Sequence, residues 1–131
     1  MKRLFVLLAA VCGVSALSSC LTTQEPTCNS TSYVPIVSAT GPKKVGVNQP
    51  AVFAIGYTVG NDCGTFSNVV ATPNGNTLQI GVTANYTGCA CNPTTTIAQT
   101  TYQFQATAAG TYYVQFLTGT NTFITDTVVV N

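Results

Sequence analysis

From Ile36 to Asn131 apolar and polar residues alternate with a period of two, and no helical period appears. The clearest run is Leu78–Tyr86, where Leu78, Ile80, Val82, Ala84 and Tyr86 share one face and Gln79, Gly81, Thr83 and Asn85 the other. Asn74-Gly75-Asn76 precedes it and tolerates positive φ, so Phe66–Thr72 pairs with it as a hairpin. Thr101–Ala106 and Thr111–Leu117 follow, with Tyr102, Phe104, Ala106, Tyr112, Val114 and Phe116 inward. Gly119-Thr120-Asn121 turns the chain into a last strand, Phe123–Val130, whose inward set the pattern leaves open. Upstream, Ala51–Val59 places Phe53, Ile55 and Tyr57 on one face, and Ile36–Thr40 is a short first strand. Seven strands rich in Val, Thr, Tyr, Phe and Ile, punctuated by Gly, Asn and Pro, predict an all-β antiparallel sandwich.

The first twenty residues, MKRLFVLLAAVCGVSALSSC, follow another pattern. Lys2 and Arg3 precede an unbroken apolar run, Leu4–Val11. The apolar segment falls short of the roughly 20 residues that span a bilayer and suits a secretory signal peptide. Leu17-Ser18-Ser19-Cys20 resembles the bacterial lipobox, in which small residues admit the peptidase and the cysteine thiol takes diacylglycerol. The resemblance implies a signal peptide over residues 1–19, a cut before Cys20, and a lipid anchor on that cysteine. Each buried CH₂ adds about 0.8 kcal/mol to membrane affinity, so two or three acyl chains hold durably. Cys12 goes with the leader. Residues 20–35, rich in Thr and Ser with two prolines, read as a tether, and residues 36–131 as the domain. Surface export of lipoproteins in Bacteroidota goes with acidic residues after the lipidated cysteine. Only Glu25 is acidic here, so a cell-envelope position, on the outer membrane, is expected with its face left open.

Gly110-Thr111-Tyr112-Tyr113-Val114 resembles the corner of immunoglobulin-like sandwiches, where a tyrosine near the start of the penultimate strand caps the turn with its hydroxyl. Tyr112 is the match. The antibody-type inter-sheet disulfide and Trp are absent, so the resemblance is to the broad immunoglobulin-like class of bacterial extracellular proteins.

Only 5% of the residues are charged, against about 25% in an ordinary domain, so Thr, Asn, Gln, Ser and Gly must make the surface. After the cut, Lys43 and Lys44 stand against Glu25, Asp62 and Asp126, two minus three, a net charge of −1. That excludes the cluster of phosphate contacts that nucleic-acid binding needs, and a polybasic patch for anionic lipid.

Four cysteines remain in the processed chain: Cys28, Cys63, Cys89 and Cys91. Outside the cytoplasm an even number predicts disulfides. A Cys89–Cys91 ring is strained. Cys63 with Cys89 and Cys28 with Cys91 is the favoured pairing, and the exchanged pairing stands close behind. The alternative is a soft-metal protein in which Cys63, Cys89 and Cys91 hold copper or zinc. The lack of histidine and the oxidising compartment favour disulfides and no bound metal.

The absence of histidine also removes the most frequent general base. The carboxylates Asp62 and Asp126 read as a solvated turn residue and a solvated strand residue, and Lys43 and Lys44 as solvated surface charges. No phosphate-binding loop is present. The chain therefore reads as non-catalytic and without a cofactor, a binding or structural domain for a protein or glycan partner. Asp62 and Phe66 in one cysteine-bearing segment, with Tyr86 and Asn92 in the other, are the candidate contacts; packing is the favoured reading of the two aromatics. Asn29-Ser30-Thr31 and Asn85-Tyr86-Thr87 match N-glycosylation, and Asp126-Thr127-Val128 is similar to a Bacteroidota O-glycosylation pattern.

Overall fold

A computed structural model describes residues 27–131. The leader, Cys20 and Glu25 lie outside them. The described chain is all β, in nine strands: β1 Asn29–Val34, β2 Ile36–Thr40, β3 Lys44–Val45, β4 Pro50–Val59, β5 Gly64–Asn74, β6 Thr77–Thr87, β7 Thr96–Gln105, β8 Gly110–Gly119 and β9 Thr122–Val130. Two sheets pack face to face. One runs β1-β6-β8-β9-β3, with β5 on the other edge of β6; the second runs β2-β4-β7.

The inward alternation is as the sequence predicts. Phe53, Ile55 and Tyr57 from β4 meet Ile80, Val82 and Ala84 from β6 and Val114 and Phe116 from β8 in one core. Phe53 and Phe116 bridge the sheets with ring centroids 5.3 Å apart. Burying one such side chain fully contributes about 1.5–3 kcal/mol. In β9 the inward set is Asp126, Val128 and Val130. The hairpin turn between β5 and β6 falls at Gly75, with φ of 59°, a conformation glycine adopts without steric cost. Tyr112 Oη donates to the carbonyl of Ala108 at 3.0 Å, the capped corner that the sequence resembles.

Three features differ from expectation. Asn29–Val34, assigned to the tether, is a strand paired along Thr87–Val82 of β6. Its residues are exposed except Val34, so no alternation marks it; its backbone ladder holds it. Pro35, lacking an N–H, ends that ladder, and the chain then crosses to the second sheet, with Val34 and Ile36 buried on either side. Second, the sheets are not wholly antiparallel: β6 pairs with β8, and β3 with β9, in parallel. Third, Asp126 is not a solvated strand residue. It is 6% exposed, and Lys43, whose side chain is 74% exposed, reaches in to form a salt bridge with it. Thr127 N–H donates to the same carboxylate oxygen at 2.8 Å.

Candidate functional site

Five strand ends converge where β1 begins, β4 turns into β5, β6 ends and β7 begins. All four described cysteines lie there. Because β1 runs antiparallel to β6, Asn29 sits opposite Thr87, and the N–H of Gly88 donates to the carbonyl of Cys28 at 3.0 Å. That places Cys28 beside Cys89, and the two form a disulfide with Cα atoms 5.0 Å apart. Cys63 and Cys91 form the second, with Cα atoms 5.5 Å apart. Two disulfides are as expected. The favoured pairing is not: the exchanged one is found, because β1 delivers Cys28 to the end of β6, next to Cys89.

The second disulfide is reinforced by an exchange of hydrogen bonds between Asp62 and Asn92. Asn92 N–H donates to Asp62 Oδ1 at 2.8 Å and its Nδ2 donates to Oδ2 at 2.7 Å. The Asp62 N–H donates back to the Asn92 carbonyl at 3.2 Å. Asn92, through its side chain first and its N–H second, holds the Asp62 carboxyl below the usual aspartate value. Asn61 Oδ1 accepts from the Cys63 N–H at 3.1 Å and closes the turn into β5. A solvent-open cleft of about 430 Å³ runs across this end, lined among others by Asn29, Asn61, Tyr86, Gly88 and Cys91.

The four candidate contact residues separate in the structure. Asp62 and Asn92 satisfy each other and act as a clasp. Tyr86 is half-buried and packs against the core. Its ring lies 2.7 Å from where a Cβ on Gly64 would stand, so Gly64 must lack a side chain for Tyr86 to lie there. Phe66 is 46% exposed, with its ring 6.1 Å from that of Tyr57. Of the four, Phe66 alone presents a large apolar surface to solvent. Sequence reasoning placed Asn61 in a turn of the cysteine-bearing segment and missed the strand that follows Cys28.

The alternative trio of metal-binding thiols, Cys63, Cys89 and Cys91, does not assemble, since Cys89 is joined to Cys28 and Cys63 to Cys91. What does come together is Asp62, Cys63 and Cys91, whose donor atoms all lie within 4.8 Å of one another. With the sulfurs joined in a disulfide, neither is a thiolate. Asp62 and Asp126 each have their own partner, Asn92 and Lys43. Among the described residues no helix is long and apolar enough to cross a membrane.

No curated protein and no solved structure matches this chain. Residues 53–130, from the middle of β4 through β9 and so including Cys63, Cys89 and Cys91, match the family model of the ORF11 beta-sandwich domain. The match spans more than half of the 131 residues and agrees with the two packed sheets, so the chain belongs to the ORF11 beta-sandwich domain family.

Proposed function

We propose that this chain is a lipid-anchored lipoprotein of the cell envelope whose sandwich is a non-catalytic binding or structural domain. The observation that carries the reading is the pair of disulfides at the end of the fold from which the chain leads back to Cys20. Disulfides persist in oxidising compartments, which fits an exported protein. The Cys28–Cys89 bond shortens the tether to the residues between Cys20 and Cys28, a reach of about 28 Å at full extension. The clamped end then stands next to the lipid, and pull on the anchor is borne by a covalent bond to the end of β6 rather than by the β1 ladder alone.

The clamp therefore works first as a junction between anchor and domain. Phe66 beside it is the contact this reading offers to a protein or glycan partner. Radiolabelled palmitate fed to cells making the full chain tests the anchor. Incorporation that Cys20→Ser abolishes, together with loss from the membrane fraction, is expected. A chain that stays in the membrane fraction unlabelled refutes the lipid reading.

A second reading rests on the cluster of Asp62, Cys63 and Cys91. If the second disulfide is held reduced, these three groups offer two thiolates and a carboxylate to zinc or copper. Alkylation of the purified, denatured chain without reductant separates the two readings. No modified cysteine among residues 28–91 supports the junction; alkylated Cys63 and Cys91 support the metal.

A further inference from the structure

We propose that a second copy of this chain docks along the free edge of β7, making a two-fold dimer in which β2-β4-β7 and its copy form one continuous sheet. Strand β7 lies at the end of the three-stranded sheet, and β4 is its partner among the described residues. Its ten residues, TIAQTTYQFQ, pair with β4 without a register shift from Thr96 to Gln105. The opposite edge therefore presents a straight row of backbone donors and acceptors. Edge strands are ordinarily guarded by Lys, Pro, a bulge or shortness. Strand β7 has none of these.

The other edges are guarded. Strand β5 carries Pro73 and a register shift between Phe66 and Asn68, and Asn68 turns its own Oδ1 to the Val69 N–H at 2.9 Å. Strand β2 has five residues, a shift between Ile36 and Ser38, and Pro35 before it. Strand β1 has six residues between Cys28 and Pro35, and β3 has two. The unguarded edge is thus specific to β7.

The occupant follows from symmetry and charge. An antiparallel strand edge is complementary to itself across a two-fold axis, since each donor meets the copy's acceptor. The same axis runs the copy's strand in reverse beside β7, so only a residue at the axis meets itself and any like charges along the edge would be brought close; β2, β4 and β7 contain no charged residue. Ile97, at 67% the most exposed large apolar residue among the described residues, lies on the outward face of β7, and Val52 lies on the same face of β4. Pairing β7 with its copy continues that face across both molecules. Assembly then stops, because the sheet's new outer edges are two copies of the short, bulged β2.

Sedimentation of the full chain with Cys20→Ser, so that no lipid is attached, tests this. Twice the monomer mass is expected in concentrated solution, shifting toward monomer on dilution. Gln99→Lys with Gln103→Lys, both outward on β7, should give monomers that unfold at the midpoint of the diluted, monomeric parent; Thr72→Lys on β5 should leave the dimer intact. In the dimer the β7 amides pointing away from β4 should exchange slowly, and quickly after dilution. A monomer at every concentration overturns the proposal, as does a dimer indifferent to the lysines. A monomer whose outward β7 amides are protected also overturns it, and assigns the edge to the chain's own N-terminal residues.

Discussion

The two ends of this sandwich are held by different physics. At one, Cys28–Cys89 and Cys63–Cys91 join three segments covalently, and the Asp62–Asn92 clasp sits over them. At the other, the contacts are non-covalent. Tyr112 caps Ala108, Asn76 Nδ2 donates to the Thr111 carbonyl at 3.2 Å, and Asn48 N–H donates to the Ala106 carbonyl at 2.8 Å. Lys43 reaches Asp126 from the strand end that leads into β3. Bonds of the second kind each contribute about 0.5–1.5 kcal/mol net, and water competes for every one. Covalent closure acts instead on the unfolded chain, whose freedom it removes whatever the solvent does. The comparison explains where the covalent bonds fall. The clamped end is made of irregular segments, Gly60–Cys63 and Gly88–Thr95, that have no ladder of their own, whereas the far end has the tight β5–β6 turn at Gly75 and the corner capped by Tyr112.

The sharpest way to break the comparison is to remove the covalent terms. The Cys63–Cys91 bond closes a loop with a separation of 28 residues, and chain-entropy arithmetic gives it roughly 3.5 kcal/mol. Cys28–Cys89, with a separation of 61, comes to roughly 4 kcal/mol. Paired Cys→Ala variants, each removing one disulfide, should lower stability by these amounts in urea unfolding, with Cys28→Ala/Cys89→Ala the more damaged. The two also part company in what loosens. Loss of Cys63–Cys91 should speed amide exchange at residues 60–64 and 88–95, and loss of Cys28–Cys89 should fray β1. Stability unchanged by either pair would mean that the irregular end is held by its hydrogen bonds, as the far end is.

The same contrast governs what was legible in the sequence. Where one face of a strand is buried, alternation writes the fold plainly, and Phe53, Ile55, Tyr57, Ile80, Val82, Val114 and Phe116 are all inward as read. Alternation carries no information about partner or direction, so the parallel β6–β8 pairing left no trace. Strand β1 was invisible because both its faces are exposed up to Val34. That omission propagated to the site. Without β1 along β6, nothing brings Cys28 to Cys89, and the cysteines pair otherwise on paper. Asp126 was misjudged for the opposite reason. Charged residues are almost never buried unless paired, and its partner, Lys43, is distant in sequence and joined to it only once β3 has docked on β9.

That ion pair gives the next largest effect, and an asymmetric one. Asp126 is buried and Lys43 is mostly in water. Removing the lysine leaves a carboxylate out of water with the Thr127 N–H as its remaining partner. Neutralising the carboxylate leaves a lysine that solvent accepts. Lys43→Met should therefore cost roughly 1–3 kcal/mol, the penalty of an under-satisfied buried group. Asp126→Asn should stay within about 1 kcal/mol, as for a pair with one exposed member. Thermal unfolding of the two variants at neutral pH checks the order. If Asp126→Asn is the more damaging, the carboxylate organises the β8–β9 ladder through Thr127 and the lysine is incidental.

The smallest effect belongs to the clasp, which is fully open to solvent, and it is read best as a titration. Asn92 donates twice to the ionised Asp62 carboxylate and so lowers its pKa from the ordinary 3.8. For a group with a depressed folded pKa, the contribution to stability is complete above the unfolded value and disappears as pH falls through the folded one. The clasp is thus closed across the neutral and mildly acidic range and opens only below the range where most aspartates protonate. Carboxyl NMR shifts should give Asp62 a midpoint below 3.8. Asn92→Ala removes the side-chain donor and keeps the N–H, so the midpoint should rise part of the way back. A midpoint at the ordinary value in both proteins would dissolve the clasp and leave the two disulfides as the whole of what distinguishes this end from the other.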